Sequence, residues 1–177
     1  MENQKLLEAL INIDVIKCGE FTLRSGEISP IYIDCRSIIS YPALLRAVAN
    51  VLWNKVKHLK PNLLCGVPYT ALPMATAISL EQNLPMVMCR KEIKEYGTKK
   101  QIEGVFKPSQ ECLIVEDVVT TGGSVLQIAE SLKKHDLQVK DIVVLVDRQQ
   151  GAKAALFAAG YQLHSVYTLD EIIDTHA

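Results

Sequence analysis

Several common signals are missing from these 177 residues. No G-x-x-x-x-G-K-[ST] occurs, which excludes a P-loop triphosphatase despite the acidic pair Glu116 and Asp117 after an apolar run. The five cysteines, Cys18, Cys35, Cys65, Cys89 and Cys112, show neither C-x-x-C spacing nor a nearby histidine cluster. That argues against a zinc site or a disulfide framework and for free thiols in a reducing cytosol. Neither sign of charge dominates: the net charge is -1, so the whole chain has no pull toward nucleic acid or an anionic membrane. No basic-then-apolar leader is visible, and the opening M-E-N-Q-K-L-L-E-A-L reads as an amphipathic helix. The long uncharged stretch from Pro61 to Leu80 is interrupted by Pro61, Gly66, Pro68 and Pro73. It therefore predicts a strand, a loop and a buried helix, not a membrane span. Repeats and low-complexity tracts are absent. The expectation is one soluble cytoplasmic domain over residues 1–177.

What is present centres on Cys112 to Ser124, C-L-I-V-E-D-V-V-T-T-G-G-S. Leu113, Ile114 and Val115 suit a parallel strand buried on both faces. Glu116 and Asp117 are then expected beyond its carboxyl end, where open α/β sheets bind ligands. Thr120, Thr121, Gly122, Gly123 and Ser124 supply hydroxyls and unhindered N–H groups at the start of a helix, a site suited to an anion. Val125, Ile128, Ala129 and Leu132 form that helix's apolar stripe. Carboxylates beside an anion cradle suit a sugar phosphate such as a ribose 5-phosphate; the alternative is a plain turn with solvated acids.

The flanking segments predict the rest of an α/β domain. Leu6, Leu7, Leu10 and Ile13 are spaced for a helix that Gly19 would stop. Two β-rich runs in Phe21 to Arg36, joined through Ser25-Gly26, read as a strand pair or hood. Pro42 opens a helix reaching about His58. Leu63 to Cys65 is a strand, followed by the loop G-V-P-Y-T-A-L-P, in which Tyr69 and Thr70 are either a structural turn or a second anion site. After the strand Met86 to Cys89 comes a charged segment, residues 90–104. It is either a solvated loop or, because Arg90, Lys91 and Lys94 cluster after a strand, an active-site lid for a multiply charged anion. Strands at 142–146 and, on the edge, 163–167 flank a short helix at 152–159. Thr168 and Glu171 form a capping box for the last helix. The sum is a central, mostly parallel sheet of about five strands flanked by helices.

Taken in order, F-T-L-R-S-G-E-I-S-P-I-Y-I-D-C-R, G-V-P-Y-T-A-L-P, R-K-E-I-K-E-Y-G-T-K-K, I-V-E-D-V-V-T-T-G-G-S and L-V-D-R-Q-Q-G resemble the orotate phosphoribosyltransferases. The resemblance covers nearly the whole chain, lies closest to the transferase half of UMP synthases, and implies the type I phosphoribosyltransferase fold with a small hood at about 1–36. It implies transfer of the phosphoribosyl group from 5-phosphoribosyl 1-diphosphate (PRPP) to orotate, with Mg²⁺ held mainly through substrate and no protein metal ligands. With no decarboxylase barrel after Ala177, the transferase activity alone is expected. The resemblance further implies a homodimer whose lid crosses into the neighbouring site. PRPP would be held by Arg24, Tyr69, Thr70, Arg90, Lys91, Lys94 and Tyr96, and by the run Glu116, Asp117, Val118, Val119, Thr120, Thr121, Gly122, Gly123 and Ser124. Lys94 and Asp117 would be catalytic. Orotate would meet Thr120, Arg148 and the backbone at Tyr32 and Ile33. Three positions depart from the commoner bacterial pattern. Tyr96 stands where histidine is frequent, which argues against a histidine acid in the lid. Thr70 stands where lysine is frequent, removing one cation, and Arg24 replaces a lysine. The runners-up are a transferase for another base and a non-catalytic regulator of the same fold.

Overall fold

The computed structural model describes residues 2–22, 28–90 and 101–175. Its main sheet has the strand order β5-β4-β3-β6-β7-β8, from β3 (Leu63–Gly66), β4 (Met86–Cys89), β5 (Ile102–Glu103), β6 (Cys112–Val119), β7 (Asp141–Asp147) and β8 (Gln162–Thr168). Five of these strands run parallel, matching the sequence expectation. The sixth, β5, pairs antiparallel with β4 and lies inside the segment expected to be lid. Two residues carry too little pattern to announce a strand, and only β4's free edge makes them one.

Buried side chains alternate between the sheet's two faces. Leu64, Leu113 and Val115 pack with α1 (Glu2–Asn12), α2 (Pro42–Val56) and most of α3 (Ala71–Gln82). Leu63, Cys65, Cys112 and Ile114 pack with α4 (Gly123–Lys133) and α5 (Ala152–Ala158) on the other face. Covering both faces accounts for the unbroken apolar runs, since neither side of these strands meets water. Cys35, Cys65, Cys89 and Cys112 are buried free thiols.

A separate hairpin, β1 (Ile16–Thr22) with β2 (Ile28–Ile33), forms the expected hood. Gly19 does not stop the first helix. That helix ends at Asn12, and Asp14, at φ 60°, takes the left-handed position. The Val15 N–H donates to the Leu10 carbonyl and the Asp14 N–H to that of Ile11, each at 2.9 Å, closing a Schellman motif without glycine. Gly19 lies instead in β1, where the register shifts between Cys18 and Phe21. The capping box at Thr168 and Glu171 forms as expected and opens α6 (Leu169–Asp174). Among the described residues no helix is long and apolar enough to cross a membrane; the uncharged stretch folds as β3, a loop and α3.

This topology puts a switch point between β3 and β6. From β3 the chain proceeds outward to β4, whereas β6, on β3's other side, leads away to β7 and β8. The loops after β3 and β6 therefore diverge and leave a crevice at the strands' carboxyl ends, the place where open α/β sheets bind ligands.

Candidate active site

The acidic pair is held inside β6, not beyond it. Glu116 pairs in register with Val144, and the strand continues to Val119, opposite Asp147. The apolar run marks only the fully covered part of the strand, and the acids begin the part of the strand where cover thins. Glu116 is 6% exposed, and its carboxylate accepts from the Asp117 N–H at 3.0 Å. Asp117 and Val118 are half-buried, and Val119 is buried.

The turn that follows is built for an anion. Thr120, Thr121, Gly123 and Ser124 are exposed. Gly122 takes φ 87°, a left-handed position that glycine occupies without strain, and its carbonyl accepts the first helical bond of α4 from Leu126 at 2.9 Å. A Cβ on Gly123 would meet nothing within 4 Å, so the space before this helix N-terminus is open. Unpaired N–H groups there, with the helix dipole, favour a phosphate by about 0.3–2 kcal/mol.

Across the crevice, Gly66 ends β3 against the start of α3. A Cβ at Gly66 would sit 2.9 Å from the Ala71 carbonyl oxygen and 3.0 Å from the Leu72 Cα, both rigid backbone. Gly66→Ala is expected to cost about 1–3 kcal/mol by overpacking, read as a lower urea midpoint at unchanged slope. An unchanged midpoint would mean that α3 shifts freely. The loop between them carries Tyr69, which is exposed, and Thr70, which is partly buried, at the head of α3.

Arg148 enters from the end of β7. Its N–H donates to the Val119 carbonyl at 2.9 Å, tying it to the β6 turn. The side chain is 7% exposed, Nη2 donates to Ser29 Oγ at 3.1 Å, and Nε is buried with no partner among the described residues. Burial pushes its pKa down, because the charged form loses water. A buried cation with an open donor is a site waiting for an anion. Tyr32 and Ile33 end the hood strand β2; the Tyr32 ring leans on Phe21 with centroids 5.6 Å apart. Burial first, then the charges of Asp117, Asp34 and Glu116, push the Cys35 thiol up.

Arg90 follows β4, and its guanidinium pairs with Glu103 of β5. A cavity of about 610 Å³ joins Arg90 to Pro68 and Ser124, so the end of β4, the loop after β3 and the start of α4 share one space. A larger one, about 680 Å³, lies between α1 and the start of α2 and holds none of the expected site residues. Arg24, Lys91, Lys94 and Tyr96 lie outside the described residues. Among the described residues, no group of three or more His, Cys, Asp or Glu could hold a metal ion. Two partners of expected site residues escaped the sequence reading: Ser29, which accepts from Arg148 and whose only local signal is its place in S-P-I-Y, and Glu103, which pairs with Arg90 and is one acid in a charged run.

Known proteins fall in line with this geometry. The family model for the phosphoribosyl transferase domain matches residues 36–160. The chain is 48% identical over 170 residues to a uridine 5'-monophosphate synthase of Bos taurus, covering 95% of this chain and 35% of that protein. It thus spans about a third of the synthase's length. It is 43% identical over 166 residues to an orotate phosphoribosyltransferase of Chlamydia caviae, covering 93% of this chain and 81% of the relative. The crystal structure of orotate phosphoribosyltransferase from Aeropyrum pernix superposes with a TM-score of 0.87 at 31% identity, covering 97% of both chains.

Proposed function

Because the chain belongs to the phosphoribosyl transferase domain family, among the orotate phosphoribosyltransferases, we propose that it joins orotate to 5-phosphoribosyl 1-diphosphate, giving orotidine 5′-phosphate and pyrophosphate. The observation that carries this reading is the bond from the Arg148 N–H to Val119. It sets a buried, anion-seeking cation beside a phosphate turn and an acidic pair.

The chemistry asks for four things. The 5-phosphate needs N–H donors, supplied by Thr120 to Ser124. Glu116 and Asp117 accept from the ribose hydroxyls and face the positive charge that grows on the sugar as the C1–O bond breaks. The leaving diphosphate needs cations. Arg90, Lys91 and Lys94 supply them, with Tyr69 and Thr70 on the same side, and Arg24 and Tyr96 complete the set that binds PRPP. Orotate brings a carboxylate and ring imide, which suit the fixed donors of Arg148, the Thr120 hydroxyl and the backbone at Tyr32 and Ile33. The pyrimidine nitrogen attacks C1 directly, so no protein nucleophile takes part.

Magnesium fits as an ion held through the diphosphate and water, since Mg²⁺ keeps several waters and needs one or two carboxylates at most. Glu116 and Asp117 are the carboxylates at this strand end. When bound, the ion neutralises charge on the leaving group. The working form is a cytoplasmic homodimer whose lids, now confined to the stretch between Arg90 and β5, cross between sites, with no nucleic acid or membrane partner. Sedimentation at assay concentrations checks the dimer, and a monomeric active species would exclude lid exchange.

The test is loss of orotate absorbance with PRPP and Mg²⁺ present, run beside adenine, hypoxanthine and uracil. Turnover with orotate alone is expected. No turnover, or a preference for another base, overturns the assignment.

A further inference from the structure

Ser29, which holds Arg148, is 5% exposed, and its hydroxyl makes three hydrogen bonds. A hydroxyl has one proton and two lone pairs. The Ser29 proton goes to the Ile31 carbonyl at 2.8 Å. One lone pair accepts from the Ile31 N–H at 3.3 Å, and the other from Arg148 Nη2 at 3.1 Å. With its proton committed to its own strand, the oxygen can only accept from Arg148, and a guanidinium can only donate. The polarity of this contact is therefore set by β2 itself.

The contact joins residues 119 positions apart and holds one amino group of Arg148. Nε remains without a partner among the described residues. On the other side of Ser29, the Ile31 bonds lead straight into Tyr32 and Ile33, whose backbone meets the base in the reading above. One hydroxyl thus links the cation that would bind the base's carboxylate to the strand that would bind its ring edge.

We propose that Ser29 is a positioning residue for base recognition, fixing Arg148 at the distance from Tyr32 and Ile33 that admits a pyrimidine bearing a carboxylate. The proposal rests on the orotate reading, and it predicts a split that a merely structural hydroxyl would not produce. Losing a hydrogen bond to a charged group raises the orotate KM of Ser29→Ala by about tenfold or more. The donor's KM stays within about twofold, because the Ser29 hydroxyl bonds Ile31 and Arg148 and not the turn Thr120 to Ser124. Ser29→Thr, which keeps the acceptor, restores most of the loss.

Steady-state kinetics with each substrate varied, alongside thermal melts, provides the test. An unchanged orotate KM, or equal rises for both substrates with a falling midpoint, overturns the proposal. Should Ser29→Ala fail to fold, the near-isosteric Ser29→Cys, a weak acceptor, carries the same expectation, and an unchanged orotate KM there overturns it equally. Wild-type protein inactive on orotate would instead overturn the functional reading, which separates the two failures.

Discussion

Replacing Arg148 with alanine is expected to lower kcat/KM for orotate by about 10²- to 10³-fold and to leave donor affinity within about twofold. The magnitude follows from the environment. A buried guanidinium that closes on a carboxylate forms charge-assisted bonds in a site where water competes poorly, and truncating one partner costs about 2–5 kcal/mol. The same burial has an opposite effect in the ligand-free protein. There Arg148 is a desolvated cation with an unpartnered Nε among the described residues, and burial already disfavours its charged form. Removing it relieves that cost, so the melting temperature of the free variant should hold or rise while orotate no longer stabilises it. Calorimetry with and without orotate checks both halves. A variant that melts early and binds orotate normally would make Arg148 a structural residue and remove the base from this part of the crevice.

Lys94→Ala is expected to lower kcat by about 10²- to 10³-fold, the scale of losing one preorganised charge from a developing anion. Orotate binding should change by less than about threefold, because the lysine's charge matters mainly once diphosphate departs. The structure sharpens the reason for choosing this lysine. Of Arg90, Lys91 and Lys94, Arg90 is already engaged by Glu103, across the antiparallel pairing of β4 with β5. A half-exposed pair of this kind is worth about 0–1 kcal/mol and can be exchanged for a better anion. Even so, part of Arg90's charge is spent in the free protein, which shifts weight to Lys91 and Lys94. Stopped-flow or isotope-trapping kinetics separates turnover from binding. Equal losses in both would assign Lys94 to general substrate capture.

Elements with a strong local signal were legible without coordinates. Pro42 at a helix start, the Thr168 and Glu171 capping box, and the apolar runs at 63–65, 113–115 and 142–146 each encode their element through nearest neighbours. The same holds for Thr120 to Ser124, because hydroxyls and paired glycines after a strand have few uses besides a turn that exposes N–H groups. Where reading by pattern failed, a competing contact had decided, local at Asp14 and distant at Glu116. Gly19 looked like a stop because glycine commonly ends helices, but Asp14 accepted the left-handed position first and the glycine went to a bulge. Glu116 and Asp117 looked like loop residues because they are charged, but pairing with β7 extends β6 through them.

The alternation of strands and helices, the turn after β6 and the set of charged groups available to a site can be read from the chain alone. These depend on spacing over a few residues, which local sterics and burial translate directly into structure. Only the tertiary structure decided which of those groups meet. The crevice between β3 and β6 arises from strand order, the Arg90 pair from a two-residue strand, and the bond between Arg148 and Ser29 from docking the hood across 119 residues. Such contacts are set by packing whole elements against one another, and no spacing rule within one element can encode them.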